Sequence, residues 1–157
     1  MEANFFFAAL SGFIGALILT ILLYLLKAGG QEVDIPYFIG SRFIDIQYST
    51  EIYLVGNLLH WVIGACWGIL YVFIMSAMAV TPNWPAGILW GFVHGIFIGC
   101  IMEMIGESHP AVGENKPIDN PGILGRSWGT LIPYWFLALH IIFGASSMAF
   151  YHYFMNG

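Results

Sequence analysis

At 157 residues, with 59% hydrophobic and only 8% charged side chains and a formal net charge of −5, the chain carries more apolar surface than a soluble domain can hide. Its mean hydropathy of +0.81 implies a polytopic membrane protein of the all-α class. The negative balance argues against binding nucleic acid or anionic lipid through a basic patch.

Four apolar segments, at about 4–27, 52–78, 86–106 and 129–154, are each long enough for a membrane span, since a hydrocarbon core of ~30 Å takes about 20 helical residues. Helices are expected because backbone groups in lipid need partners within their own segment. The first span carries Ala8, Gly12, Ala16 and Thr20 at four-residue spacing. No basic region precedes it and its apolar run reaches Lys27, so a cleavable signal peptide is not expected.

The connection 28–51 alternates Ile35-Pro36-Tyr37-Phe38-Ile39-Gly40 and Phe43-Ile44 with Asp34, Arg42 and Asp45. That mixture suits a segment lying in the membrane interface against the rim of a helix bundle, or an irregular loop with incidental aromatics. The second span places Gly56, His60, Gly64 and Gly68 at four-residue intervals. A short connection around Thr81-Pro82-Asn83-Trp84-Pro85 joins antiparallel neighbours, with Trp84 as an interfacial anchor. The third span has a glycine-zipper face, Gly87, Gly91, Gly95 and Gly99. Small residues let backbones approach where lipid provides no hydrophobic drive, either within one bundle or at a homo-oligomer interface. The connection 107–128 is rich in Pro and Gly and is expected to fold over one mouth of the bundle. Cys66 and Cys100 fall inside spans without CxxC spacing and read as small packing residues.

Orientation follows from the basic residues. Lys27, Arg42, Lys116 and Arg126 all sit in the first and third connections or at their edges. The positive-inside rule puts loops 28–51 and 107–128 in the cytoplasm and both termini outside, in a bacterial inner membrane. Glu2 is the one acid assigned to the outer side.

The second and fourth spans also repeat each other. Leu59-His60-Trp61-Val62-Ile63-Gly64-Ala65 is echoed by Leu139-His140-Ile141-Ile142-Phe143-Gly144-Ala145, and Tyr71 by Tyr151, at a constant shift of 80 positions. A shift that preserves helix direction predicts a four-transmembrane-helix bundle built from two parallel-repeat helix pairs. The first and third spans match less well, Gly15 with Gly95 and Ser11 with Gly91.

Three histidines, His60, His94 and His140, lie deep in the spans, where an imidazole is costly unless satisfied. Three readings follow. Each ring bonds across the bundle to a hydroxyl, a carbonyl or another histidine, an interaction worth ~1 kcal/mol in membranes. Alternatively His60 and His140 ligate a planar macrocycle, haem or chlorin, with the glycines at i+4 making room for its edge and Trp61, Trp67 and Trp90 beside it. Or the three together hold copper or zinc. A second cluster, Glu103, Glu107 and His109, ends the third span. Its carboxylates face the negative end of a helix dipole, which solvent, Arg126, Lys116 or a divalent cation would have to offset.

No acid or base occupies the central third of any span, so an ion-coupled pump lacks its usual relay. There is no triad-like arrangement, P-loop or dinucleotide fingerprint, and no autonomous catalysis is expected. A transporter or channel would have to line its path with Thr20, Asn57, Ser146, Ser147 and the histidines.

The chain resembles a family of small uncharacterised bacterial four-helix integral membrane proteins. The likeness is carried by Asp34-Ile35-Pro36 with Gly40, the His60-x-x-x-Gly64 and His140-x-x-x-Gly144 spans, Gly91-x-x-His94, His109-Pro110 and Pro121-Gly122. The resemblance implies a four-helix membrane domain and no established activity. Chains like it are usually richer in methionine, which argues here against methionine-based copper handling. The functional expectation is a non-catalytic accessory or structural subunit of a larger respiratory or photosynthetic membrane assembly, partnered by lipid, other subunits or itself. The alternative is a haem- or chlorin-binding subunit using His60, His94 and His140.

Overall fold

A computed structural model describes residues 3–31, 33–113 and 116–156. Glu2, the one acid assigned to the outer side, lies outside the described residues. The described chain is all-α. Helix α1 runs Phe5–Ala28, a short α2 Ile35–Gly40, α3 Ser49–Ala77 and α4 Trp84–Glu107; a 3₁₀ segment at Ile123–Trp128 precedes α5, Ile132–Asn156. The four long helices α1, α3, α4 and α5 are each long and apolar enough to cross a membrane. The largest departures from the expected limits are at Ser49, against 52, and Ile132, against 129.

Side-chain caps set several boundaries. The side chains of Asn4 and Asn83 accept from the amides of Phe7 and Ala86, at 3.1 and 3.0 Å, satisfying donors that a helix start leaves orphaned. The interfacial segment contains a real helix. Asp34 accepts from the Tyr37 amide at 3.1 Å and Pro36 occupies the first turn, where its missing N–H costs nothing. Beside this cap Asp34 pairs with Lys27, and the Tyr53 hydroxyl donates to the same carboxylate, which ties α1, α2 and α3 at one corner.

Helix α1 packs against α3 and α5, α4 against α5, and α2 against the start of α3. Glycines create three of these seams. A Cβ on Gly68 would run into the Ala8 carbonyl and Gly12, and one on Gly64 into Ala16. On the other side of the molecule a Cβ on Gly144 would meet the Gly87 carbonyl and Gly91, and one on Gly91 the His140 carbonyl. Gly56 and Gly40 admit α2, facing the carbonyls of Pro36 and Ile52. The glycine face of α4 is therefore consumed within the chain, and an interface between copies through that face is not what it forms. Helices α3 and α4 lack such a seam. Side chains bridge them instead.

The Asn4 amide donates to the Tyr151 hydroxyl at 3.1 Å, so the start of α1 and the end of α5 meet at one end of the molecule. The opposite, loop end carries α2, the 3₁₀ segment and His109. Cys66 and Cys100 are exposed on the outer faces of α3 and α4, so neither is the packing residue its small size suggested. Gly91→Leu should lower thermal stability by at least about 2 kcal/mol, because backbone rather than a yielding side chain opposes the new atoms. Cys100→Leu on the outer face should leave the midpoint of thermal unfolding in detergent unchanged.

Candidate functional site

The three intramembrane histidines line one cavity of about 380 Å³. It lies between α1, α3, α4 and α5 and extends to α2 at the loop end, and its wall is almost wholly apolar, with Leu19, Trp67, Ile98, Phe136 and Phe143 among its members.

Each ring is anchored through the same nitrogen. His140 Nδ1 donates to the carbonyl of Phe136, one turn back on its own helix, at 2.7 Å. His60 Nδ1 lies 2.9 Å from Thr20 Oγ1 on α1. That hydroxyl donates to the Ala16 carbonyl at 2.8 Å and accepts from Trp61 Nε1 at 3.1 Å, so the imidazole is the donor. His94 Nδ1 pairs with the Tyr71 hydroxyl at 2.9 Å, across the α3–α4 seam. The His94 ring stacks on Trp67 at 3.6 Å between centroids and stands at 87° to the His140 ring, 4.9 Å away.

The other nitrogen of each ring is free. Among the described residues none of the three Nε2 atoms has a hydrogen-bond partner, and none is fully enclosed, since Ser147 Oγ is the one enclosed side-chain N or O atom left without a partner. The three Nε2 atoms are thus open to the void their rings line. Since a neutral imidazole carries one N–H, the anchored Nδ1–H of His140 leaves its Nε2 a bare acceptor, and the same holds for His60.

The structure does not assemble the metal sites considered above. Among the described residues no three histidine, cysteine or carboxylate side chains gather closely enough to hold an ion, so His60, His94 and His140 are not brought together as a three-ligand set. Nor are Glu103, Glu107 and His109. The two glutamates are exposed, while His109 is turned inward, only 3% exposed. Its Nε2 donates to the Phe38 carbonyl at 2.8 Å and its Nδ1 accepts from the Ala111 amide at 3.1 Å. Its ring stacks on Phe38 at 4.6 Å, and Phe38 also meets the edge of Trp128. This stack roofs the cavity at the loop end.

The glycines four residues after the histidines do not make room for a ring. Gly64 is taken up by Ala16, and Gly144 by Gly87 and Gly91. The polar side chains considered for a transport path are also dispersed. Asn57 donates to the Tyr24 hydroxyl at 2.7 Å on the exposed surface, Ser146 donates back to the Ile142 carbonyl at 2.7 Å, and Ser147 is buried beside Gly15. The anchors Thr20, Trp61, Tyr71 and Phe136 were not singled out by sequence reasoning as histidine partners. Thr20 stood in the small-residue stripe of α1 and Tyr71 in the repeat. Comparison with family models, with curated proteins and with solved structures finds no match.

Burial pushes the His109 imidazole below its ordinary value of 6.5, and the nearby Arg42 adds to this against the opposing bond to the Phe38 carbonyl. The unfolded chain then binds the proton more readily, so the contribution of His109 to stability is complete above pH 6.5 and is lost as pH falls below it. Protonation also removes the acceptor of the Ala111 amide. Acidification from pH 7 to 5 should lower the protection of the Ala111 and Val112 amides against hydrogen exchange, measured relative to the unstructured-chain rate at each pH, and His109→Gln should flatten that dependence.

Proposed function

We propose that this chain is a non-catalytic, multi-pass membrane protein that holds a flat lipophilic molecule among its histidine-bearing helices, as an accessory subunit of a larger respiratory or photosynthetic assembly. One observation carries the reading: three imidazoles present unpaired Nε2 atoms to an apolar cavity of about 380 Å³. An unpartnered polar group in apolar surroundings costs ~1–3 kcal/mol, and a ligand that bonds these nitrogens recovers that cost. The cavity falls within the ~300–1,000 Å³ usual for small-molecule sites.

A macrocycle is the second reading, favoured by the His140 anchor. Metal-ligating histidines commonly give their other N–H to a backbone carbonyl, which fixes the tautomer and aims the free nitrogen. In that case His140, and His60 from the facing helix, would hold the iron or magnesium of haem or chlorin. The family resemblance adds no activity to either reading.

The finer architecture belongs to the same proposal. The α1–α3 and α4–α5 pairs are read as parallel repeats. Support comes from the two glycines after the histidines, Gly64 seated on Gly12 and Ala16 of α1 and Gly144 on Gly87 and Gly91 of α4, although the first helices then match at a shift of 75 rather than 80 positions. The loop end, which carries Lys27, Arg42, Lys116 and Arg126 in or beside its connections, is read as cytoplasmic.

Protein purified from native membranes should carry about one equivalent of a lipophilic ring compound, seen by mass spectrometry of an organic extract, and His60→Ala/His140→Ala should lose it. A Soret band lost with the same substitutions would select the macrocycle. Protein that is colourless and free of any such compound would defeat both readings. For orientation, a reporter active only outside the cytoplasm should be active when fused after Asn156 and silent when inserted at Gly113.

A further inference from the structure

We propose that the molecule held here is a hydroxyl-bearing ring lipid of the quinol type, with its hydroxyls given to Nε2 of His140 and His60 and its tail leaving the cavity past Ile63. The proposal rests on the lipophilic-ligand reading above and narrows its chemistry.

The imidazole tautomers select the ligand. Phe136 offers His140 a carbonyl, which can only accept, so Nδ1 must carry the proton and Nε2 must be the lone pair. The saturated Thr20 hydroxyl imposes the same state on His60. The cavity thus presents acceptors at two of its polar points. A carbonyl-bearing ring would bring acceptor to acceptor, and could be met only by breaking an Nδ1 bond or by placing a positive charge in apolar surroundings. A ring hydroxyl meets the nitrogens without rearrangement. The ring itself finds aromatic walls in Trp67, Phe136 and Phe143. Ile63 belongs to the cavity lining and is 44% exposed on the outer face of α3. It lies one turn before Trp67, which stacks on His94 across the seam where α3 and α4 do not close on each other, and this gives an alkyl tail a way into the bilayer. A macrocycle fits less well, because the glycine spaces beside His60 and His140 are filled by neighbouring helices.

The test compares three ligands of one shape on the full-length protein in lipid nanodiscs: decyl-1,4-benzoquinol kept reduced under argon, its dimethyl ether, and decyl-1,4-benzoquinone. Quenching of tryptophan emission reports binding, since Trp67 and Trp135 border the cavity. The quinol should bind at least about tenfold more tightly than the ether or the quinone, as sites built to hydrogen-bond a hydroxyl discriminate strongly against its loss. His140→Phe keeps the bulk and removes the acceptor. It should lower the quinol preference to near unity while the ring itself still binds. Equal affinity of all three ligands for the unaltered protein, a comparison that needs no variant, would overturn the proposal, as would a preference that survives His60→Phe/His140→Phe. Failure of all three to bind would sink the lipophilic-ligand reading itself, and this one with it. A Soret band in the native protein would overturn this proposal alone.

Discussion

An imidazole has two nitrogens, hydrocarbon satisfies neither, and this chain satisfies one of them on each of its three deep histidines. The choice is the same each time: Nδ1 is fixed and Nε2 is left open to the void. His140 is served from within its own helix by Phe136, which constrains only the ring. His60 needs Thr20 from α1 and His94 needs Tyr71 from α3, so these two bonds also fix which helices are neighbours. Each such bond is worth only ~1 kcal/mol in a membrane. Their weight lies in direction: they aim the free nitrogens.

The void exists because one seam of the molecule differs from the others. Where α1 meets α3 and α4 meets α5, glycine brings backbone against backbone. Where α3 faces α4, Trp67 stacks on His94 and Tyr71 bonds to it, and these side chains hold the helices apart as much as they join them. Dispersion favours collapse of any gap in a packed interior. The bulk of Trp67, wedged between α3 and the His94 ring, is what resists it here. Under the proposed repeat, Tyr71 and Tyr151 are equivalent positions with different duties. The first holds a histidine across the open seam, and the second accepts the Asn4 amide and closes the end of α1 onto α5.

Much of this architecture was legible in the chain. Spans longer than 20 apolar residues leave little room for error in existence or type, and their ends fell near Phe5, Ser49, Trp84 and Ile132 as the caps and prolines allow. The small-residue stripes marked the close seams, though not which helix each would meet, because spacing fixes a face and not its partner. Helix α2 could have been read from Asp34 followed by Pro36, an N-cap signal hidden inside an aromatic-rich connection. The histidines were visible as a set. Their anchors were not, since a hydroxyl 40 positions away, as Thr20 is from His60, leaves no local pattern. Glu103, Glu107 and His109 misled for a related reason. Spacing along a helix end cannot tell that one member turns inward to the Phe38 carbonyl while the other two stay exposed.

The loop end of the cavity is held by a strained backbone and stacked rings. Leu124 adopts φ 57°, a left-handed conformation that is unusual for so bulky a residue, at a cost of roughly 1–2 kcal/mol. Its side chain rests in the hollow that Gly99 leaves on α4, where a Cβ would strike it. Beside it Phe38 lies under His109 and against Trp128, and Arg42 clamps the segment by donating to the Ser108 carbonyl at 3.2 Å. Strain is tolerated in folded chains where surrounding structure over-determines it, and these contacts together fix the end that carries the basic residues, where Phe43 and Trp135 border the cavity and are exposed. Away from that end Ile63, exposed on α3, borders the same cavity. In the lipophilic-ligand reading proposed above, the helix seam that lacks glycine is then a lateral way in from the bilayer, while the loop end is held in place at the expense of backbone strain.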